Sequence, residues 1–390
     1  MSSIVYDFDR PKCLVLQRVI PAYRVAVFRK LTSRIDLDVS IVIGDDLKES
    51  KAKNAVDLSG IKITRLPARA FTFFGRVFTI HKGLIWHLIK SKPDVILCEA
   101  ESHFVAYWIA IFFKLFFSRN TKLILWCFYA LPGITTERTP IHSAIKVIGR
   151  SFFDGFISYT TYGKNSLISK GINNQDISVA VNVCDTAHFL ALDLRLTLSK
   201  EGAKEFLGVA GKFVVTYIGT LDEVKRPDLL LEICKVLNNE NVHFQIVGGG
   251  PLEHSLKMQV QNEGLDNINL TGKVGDDLPV YYRASDIVIV PGRGGIVISE
   301  AMCFGVPVIV HQADGVEYDL VIDNFTGNIL RTGSANEFAS EIYRLMQQPD
   351  LLVEMGNNAK MLISNKLNTE SMCHSIVQAF KRVVSSEVKA

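Results

Sequence analysis

The chain lacks any CxxC pair and any cysteine–histidine spacing suited to a metal ion. Its seven cysteines, at 13, 98, 127, 184, 234, 303 and 373, are scattered and odd in number. They read as small buried hydrophobes of a reducing compartment, which excludes a disulfide-stapled scaffold. An excess of positive charge is also missing: a net +3 is too small to argue for a nucleic-acid partner. The first ten residues, Met-Ser-Ser-Ile-Val-Tyr-Asp-Phe-Asp-Arg, carry acids where a signal peptide needs a basic region and an apolar core. The expected location is therefore cytoplasmic. No apolar run reaches membrane-spanning length. Residues 104–117, with Lys114 the only charge, come nearest, and a helix of that length spans about 21 Å against a ~30 Å hydrocarbon core. A buried helix is expected there.

What is present describes a packed globular protein. At 390 residues the chain exceeds one typical domain, so two are expected. Hydrophobic residues at 48% and charged residues at 21% exclude a disordered chain. In the first half, β-rich runs at 13–16, 37–43, 61–65, 95–98, 122–126, 155–159 and 177–181 alternate with segments of helical spacing such as 22–33 and 141–153. Strands alternating with helices imply parallel βαβ units and a doubly wound sheet. The pattern lapses into a charged, leucine-spotted helix over 185–211, expected to be the interdomain connection. It restarts with strands at 213–218, 242–247, 267–270, 286–290, 306–310 and 327–330, and helices at 227–237, 252–263 and 297–304. Helices at 336–347 and 369–385 close the chain. The expected fold class is α/β: two Rossmann-like domains, 1–185 and 186–370, facing across a cleft. The last helix, 371–390, returns to the first domain.

Three glycine-containing junctions follow strands of the second half. Pro291-Gly292-Arg293-Gly294-Gly295-Ile296 stands between a buried strand and a helix, so bare backbone N–H groups meet the positive end of a helix. That suits a phosphate. Glu300 follows about one and a half turns later, within reach of ribose hydroxyls. The competing reading is a glycine-rich turn before a core helix. Gly219-Thr220 precedes Lys225, which is either a point-charge partner for a pyrophosphate or a solvated loop lysine. Gly248-Gly249-Gly250-Pro251 is a tight turn into a helix. Residues 69–92 interleave Arg69, Arg76, His81, Lys82, Lys90 and Lys92 with aromatic and aliphatic side chains. Such a stretch fits an anionic membrane surface or a core-facing helix with solvated lysines.

The segments IGTLDEVKRPDLLLE, FQIVGGGPLEHSL, NINLTGKV, LPVYYRASDIVIVPGRGGIVISEAMCFGVPVIV and ADGVEYDLVIDNFTGNIL, in that order, resemble the donor domain of GT-B glycosyltransferases of family 4. The likeness runs from about residue 177 to about 335. It implies that Lys225 neutralises the donor pyrophosphate and that Glu300, the second glutamate of an E-x7-E motif, binds the nucleotide ribose. Gly219, Gly249, Gly294, Gly295 and Ile296 would belong to the donor-site loops, and Gly272 and Val274 to the loop that meets the nucleobase. The chain departs from the family at three places. The arginine before the lysine is Thr220, with Arg226 or Arg293 as replacements. The first glutamate of the motif is Gly292. The loop after the strand at 122–126 has no histidine, which leaves His103, beside Glu99 and Glu101, as a catalytic or a structural residue.

The resemblance implies glycosyl transfer with retention, from a nucleotide-diphosphate sugar as co-substrate to a saccharide acceptor. With no Asp-x-Asp motif at the carboxyl end of a candidate strand, neither metal nor cofactor is expected. The basic-aromatic stretch adds a lipid-linked acceptor and peripheral association with the inner face of the plasma membrane, in lipopolysaccharide, O-antigen or other surface-polysaccharide biosynthesis. The rival readings are a nucleotide-sugar 2-epimerase and a non-catalytic nucleotide-sugar-binding protein.

Overall fold

The computed structural model describes residues 10–47, 53–73, 76–99, 105–132, 150–237 and 241–385. The first domain is built on β1 (Lys12–Leu16), α1 (Val25–Thr32), β2 (Asp38–Gly44), β3 (Ile63–Leu66), β4 (Ala68–Phe73), β5 (Arg76–His81) and α2 (Leu84–Ser91). It continues with β6 (Val95–Glu99), α3 (Val105–Phe116), β7 (Lys122–Cys127), β8 (Gly155–Ser158), α4 (Thr161–Ile168) and β9 (Ile177–Val179). Seven strands pair in parallel in the order β3-β2-β1-β6-β7-β8-β9. The strands are nearly continuous runs of Val, Ile and Leu because helices cover both faces of the sheet. The helix expected at 141–153 lies mostly outside the described residues.

The second domain repeats the plan. α5 (Thr186–Arg195) and α6 (Lys200–Phe206) lead into β10 (Phe213–Ile218), α7 (Pro227–Val236), β11 (Val242–Val247), α8 (Glu253–Asn262), β12 (Ile268–Gly272) and α9 (Leu278–Ala284). β13 (Ile287–Val290), α10 (Gly295–Cys303), β14 (Val308–Val310), α11 (Glu317–Leu320) and β15 (Gly327–Ile329) follow, then α12 (Ala335–Met346), α13 (Pro349–Asn365) and α14 (Thr369–Ser385). The parallel order is β12-β11-β10-β13-β14-β15. In both sheets the order reverses beside the first strand, which opens a crevice at the carboxyl ends of the strands.

The segment 185–211 is no free connection. It forms α5 and α6, which pack on α10 and α9 of the second domain. The chain passes between domains at two neighbouring points, and these are clasped together. Thr186 N donates to Thr369 Oγ1 at 3.1 Å, Thr369 N donates to Thr186 Oγ1 at 3.0 Å, and both residues are buried. Beyond this clasp α14 lies on the first domain, where Met372, Ile376, Phe380 and Val383 join Val15, Leu97 and Ile124 in one core. Full burial of each such side chain contributes roughly 1.5–3 kcal/mol.

Two segments correct the sequence reading. Residues 69–92 are not one amphipathic stretch. They form most of an antiparallel hairpin, β4 with β5, followed by α2. Phe71 stacks on Phe78 across it with centroids 5.4 Å apart, a packing that favours paired strands over a helix. The expected buried helix is α3, but it is buried on one face only: Phe112, Leu115 and Phe116 are exposed, as is Phe117 just beyond it. Among the described residues no helix is long and apolar enough to cross a membrane.

Candidate functional site

The loops after β10, β11 and β12 meet around a cavity of about 290 Å³. Gly219 and Thr220 contribute one wall, Gly249 a second, and Lys273 and Val274 a third. Gly272 closes its edge, accepting a hydrogen bond from Gly248 N at 2.8 Å. The walls are largely glycine and aliphatic carbon, so a flat ring entering here meets backbone atoms and apolar surface.

The loop that leaves β10 continues from this cavity to the glycine loop after β13. It turns through Asp222, whose carbonyl accepts from Lys225 N at 3.0 Å, and delivers Lys225 over Gly294. A Cβ at Gly294 would strike the Lys225 ammonium, and its φ of +150° suits glycine alone. Gly292 is closed for another reason: a Cβ there would stand 2.7 Å from the Val224 carbonyl oxygen. The backbone of the lysine loop fills the space that a side chain at 292 would need. Arg293 N secures this contact by donating to Val224 O at 3.1 Å.

Burial lowers the Lys225 pKa, opposed by the carboxylates of Asp314, Asp222 and Glu300. Glu300, on the first turns of α10, is pushed up to about 7 by burial; the Tyr282 hydroxyl, donating to Oε2 at 2.6 Å, and the charge of Lys225 act against that rise. Ile296 sits one turn before Glu300, its carbonyl accepting from Ser299 Oγ at 2.7 Å. Lys225, Gly294, Gly295 and Glu300 are therefore brought together at the start of α10, with Gly219, Thr220, Gly249, Gly272 and Val274 at the adjoining cavity.

Not every expected residue joins them. Arg226 is in the left-handed region, and its Nε donates to Asp228 Oδ2 at 3.0 Å on the exposed surface. Its guanidinium therefore pairs with Asp228 in this structure. Glu99 ends β6, as expected, whereas Glu101 and His103 lie outside the described residues. Sequence reasoning passed over Asp314 and Glu317. Asp314 Oδ2 accepts from Gly295 N at 3.3 Å, and Glu317, fully buried, accepts from Ala313 N and Gly315 N at 3.1 and 2.8 Å. Burial raises both carboxyls above the usual range. Their signal was the cluster of acids around a glycine in Ala313-Asp314-Gly315-Val316-Glu317.

A preorganised lysine, a helix N-terminus and a carboxylate beside an apolar cavity make a site for a phosphorylated ligand with a ring and hydroxyls. Residues 200–362 match the family described as Glycosyl transferases group 1. An uncharacterized 41.2 kDa protein in the cps region of Klebsiella pneumoniae is 25% identical over 80% of this chain and 86% of its own length. The alpha-D-kanosaminyltransferase of Streptomyces kanamyceticus is 26% identical over 46% of this chain and 48% of its own. Among solved structures, Anabaena Alr3699/HepE in complex with UDP superposes with a TM-score of 0.73 at 18% identity, covering 95% of this chain and all of that one. A glycosyltransferase from Rickettsia africae also reaches 0.73, at 16% identity, covering 97% and 99%.

Proposed function

From a GT-B glycosyltransferase whose residues 200–362 match the group 1 family, we propose a retaining transfer of a sugar from a nucleoside-diphosphate donor to a hydroxyl of a saccharide acceptor. The observation that carries this reading is the convergence of Lys225 with the Gly294–Gly295 start of α10 beside the cavity. In this arrangement the nucleobase enters the cavity, Glu300 accepts hydrogen bonds from the ribose, and the diphosphate faces Lys225 and the helix N-terminus. When the bond between the anomeric carbon and the diphosphate oxygen breaks, the electron pair leaves with the diphosphate. Lys225 and the backbone N–H groups stabilise that growing charge without reorganising. The acceptor oxygen then bonds the anomeric carbon on the face the diphosphate left, and its proton passes to a phosphate oxygen of the leaving group. This route needs no side-chain base and no metal ion.

The donor class follows the structural neighbours, among them the Anabaena protein in complex with UDP and with UDP-glucose. The acceptor class follows relatives named for a cps region and for poly(ribitol-phosphate) glycosylation. A lipid-linked acceptor is favoured by one surface of the first domain. Trp86, Phe112, Phe116 and Phe117 are exposed there, and α3 packs on both α2 and β5. Arg69 on β4, Lys82 before α2, Lys90 on α2 and Lys92 just after it are also exposed, and no acid occurs in the sequence between Lys62 and Asp94. Exposed aromatic side chains on a domain that also exposes these cations fit an anionic membrane face.

Incubation of the pure protein with UDP-, GDP-, ADP- and dTDP-sugars, following release of nucleoside diphosphate, tests the proposal. Donor-dependent release that Lys225→Met reduces by about 10²–10³ in kcat/KM is expected. Absence of both binding and release across the panel overturns it.

A further inference from the structure

The N-terminus of α10 already carries an anion. Its N-cap residue, Gly294, has no side chain, yet Gly295 N donates to a carboxylate supplied from nineteen positions downstream, that of Asp314. Asp314 also exerts the largest pull on Lys225 of the three carboxylates that face it, ahead of Asp222 and Glu300. The two groups that would receive a donor diphosphate thus face an internal carboxylate instead. Such a carboxylate and a diphosphate carry like charge, and at this separation the two cannot share one small site without a large repulsion.

Resting on the donor-site reading above, we propose that Asp314 is an internal competitor for the diphosphate, displaced when the donor binds, and that it sets donor affinity. The movement required is local. Glu317 pins the loop by accepting from Ala313 N and Gly315 N, so the backbone is held while the short Asp314 side chain rotates and gives up its bonds from Gly295 N and Val316 N. The same loop reaches the first domain. Gly315 faces Thr160, Asp319 Oδ2 accepts from Thr161 N at 2.9 Å, and Tyr318 stacks on Tyr162 with centroids 5.5 Å apart. Loop and phosphate site are therefore one unit, joined through the Asp314 carboxylate.

Calorimetric titration with UDP and with inorganic pyrophosphate, on wild type and on Asp314→Asn and Asp314→Ala, tests this. Both variants are expected to bind each probe about tenfold more tightly, from removal of one like charge in a partly buried site. A residue that merely caps α10 would give unchanged or weaker binding together with a lower melting temperature, and that result overturns the proposal. Should the variants fail to fold, a structure of the wild type with UDP decides. Asp314 must have left Gly295 N; a carboxylate still bonded there beside a bound diphosphate overturns the inference. If wild type and variants bind none of UDP, GDP, ADP or pyrophosphate, the donor-site reading falls first and this inference with it. Wild-type binding without a gain in the variants removes only the competitor role.

Discussion

The Tyr282 hydroxyl donates to Glu300 Oε2 at 2.6 Å, from one helix of the second domain to the next. Burial raises this carboxyl from its ordinary 4.5 to about 7, and the phenol holds the rise in check. The native state then binds a proton that the unfolded chain has released, so stability falls as pH rises from about 4.5 to about 7 and is level above that. Burial lowers His81 to about 4 and acts in the opposite direction, so the loss should be read from melting as a difference: ligand-free wild type should lose stability relative to Glu300→Gln as pH rises across this range. Tyr282→Phe removes the opposing hydrogen bond, so its falling limb should extend above pH 7. A Glu300→Gln profile parallel to that of wild type would mean that the carboxyl is not buried as described.

Glu300 should also bind the ribose. The prediction is that Glu300→Ala weakens UDP binding by about 1–3 kcal/mol, the range for a lost hydrogen bond to a charged group. Titration calorimetry above pH 7, where the carboxylate is ionised, is the measurement. Unchanged affinity would remove Glu300 from the site.

The alternation of apolar runs with helical segments was legible because strands such as Ile287–Val290 are covered on both faces and read as unbroken apolar sequence. α13 was not legible. Gly356, Asn357 and Asn358 in its middle are poor helix formers, and it holds because Met355, Ala359 and Ile363 fall on one buried face. The hairpin β4–β5 was hidden by its charges, which drew a surface-helix reading over an alternation that pairs Phe71 with Phe78. At the site, Lys225, Glu300 and the glycine loop stood out by position after strands. Asp314 did not, because its partner Gly295 is nineteen residues away and only the close approach of two loops brings them together.

Transfer activity should persist in excess EDTA. Lys225, held over Gly294, and the N–H groups at the start of α10 supply the positive field that a divalent ion supplies elsewhere. The check is initial rate with and without chelator, followed by readdition of Mg²⁺ or Mn²⁺. A strict requirement, restored by either ion, would refute the leaving-group mechanism proposed above.

The membrane reading makes a separable prediction, because its surface lies on the first domain and the donor site on the second. Exposed Arg69, Lys82, Lys90 and Lys92 are each worth about 1 kcal/mol near an anionic bilayer. Trp86, Phe112, Phe116 and Phe117 add apolar area that enters the headgroup region. The protein should therefore sediment with phosphatidylglycerol vesicles at low salt, and less as salt rises and screening shortens the reach of the charges. Changing Arg69, Lys82 and Lys90 to Ser should remove the salt-sensitive part, whereas changing Trp86, Phe112 and Phe116 to Ser should weaken binding at every salt concentration. Both sets lie on the first domain, away from the loops of the second that form the donor site, so UDP affinity should stay within error of wild type. Wild-type protein left in the supernatant at low salt would show that this surface does not bind anionic membranes and would withdraw its support for a lipid-linked acceptor.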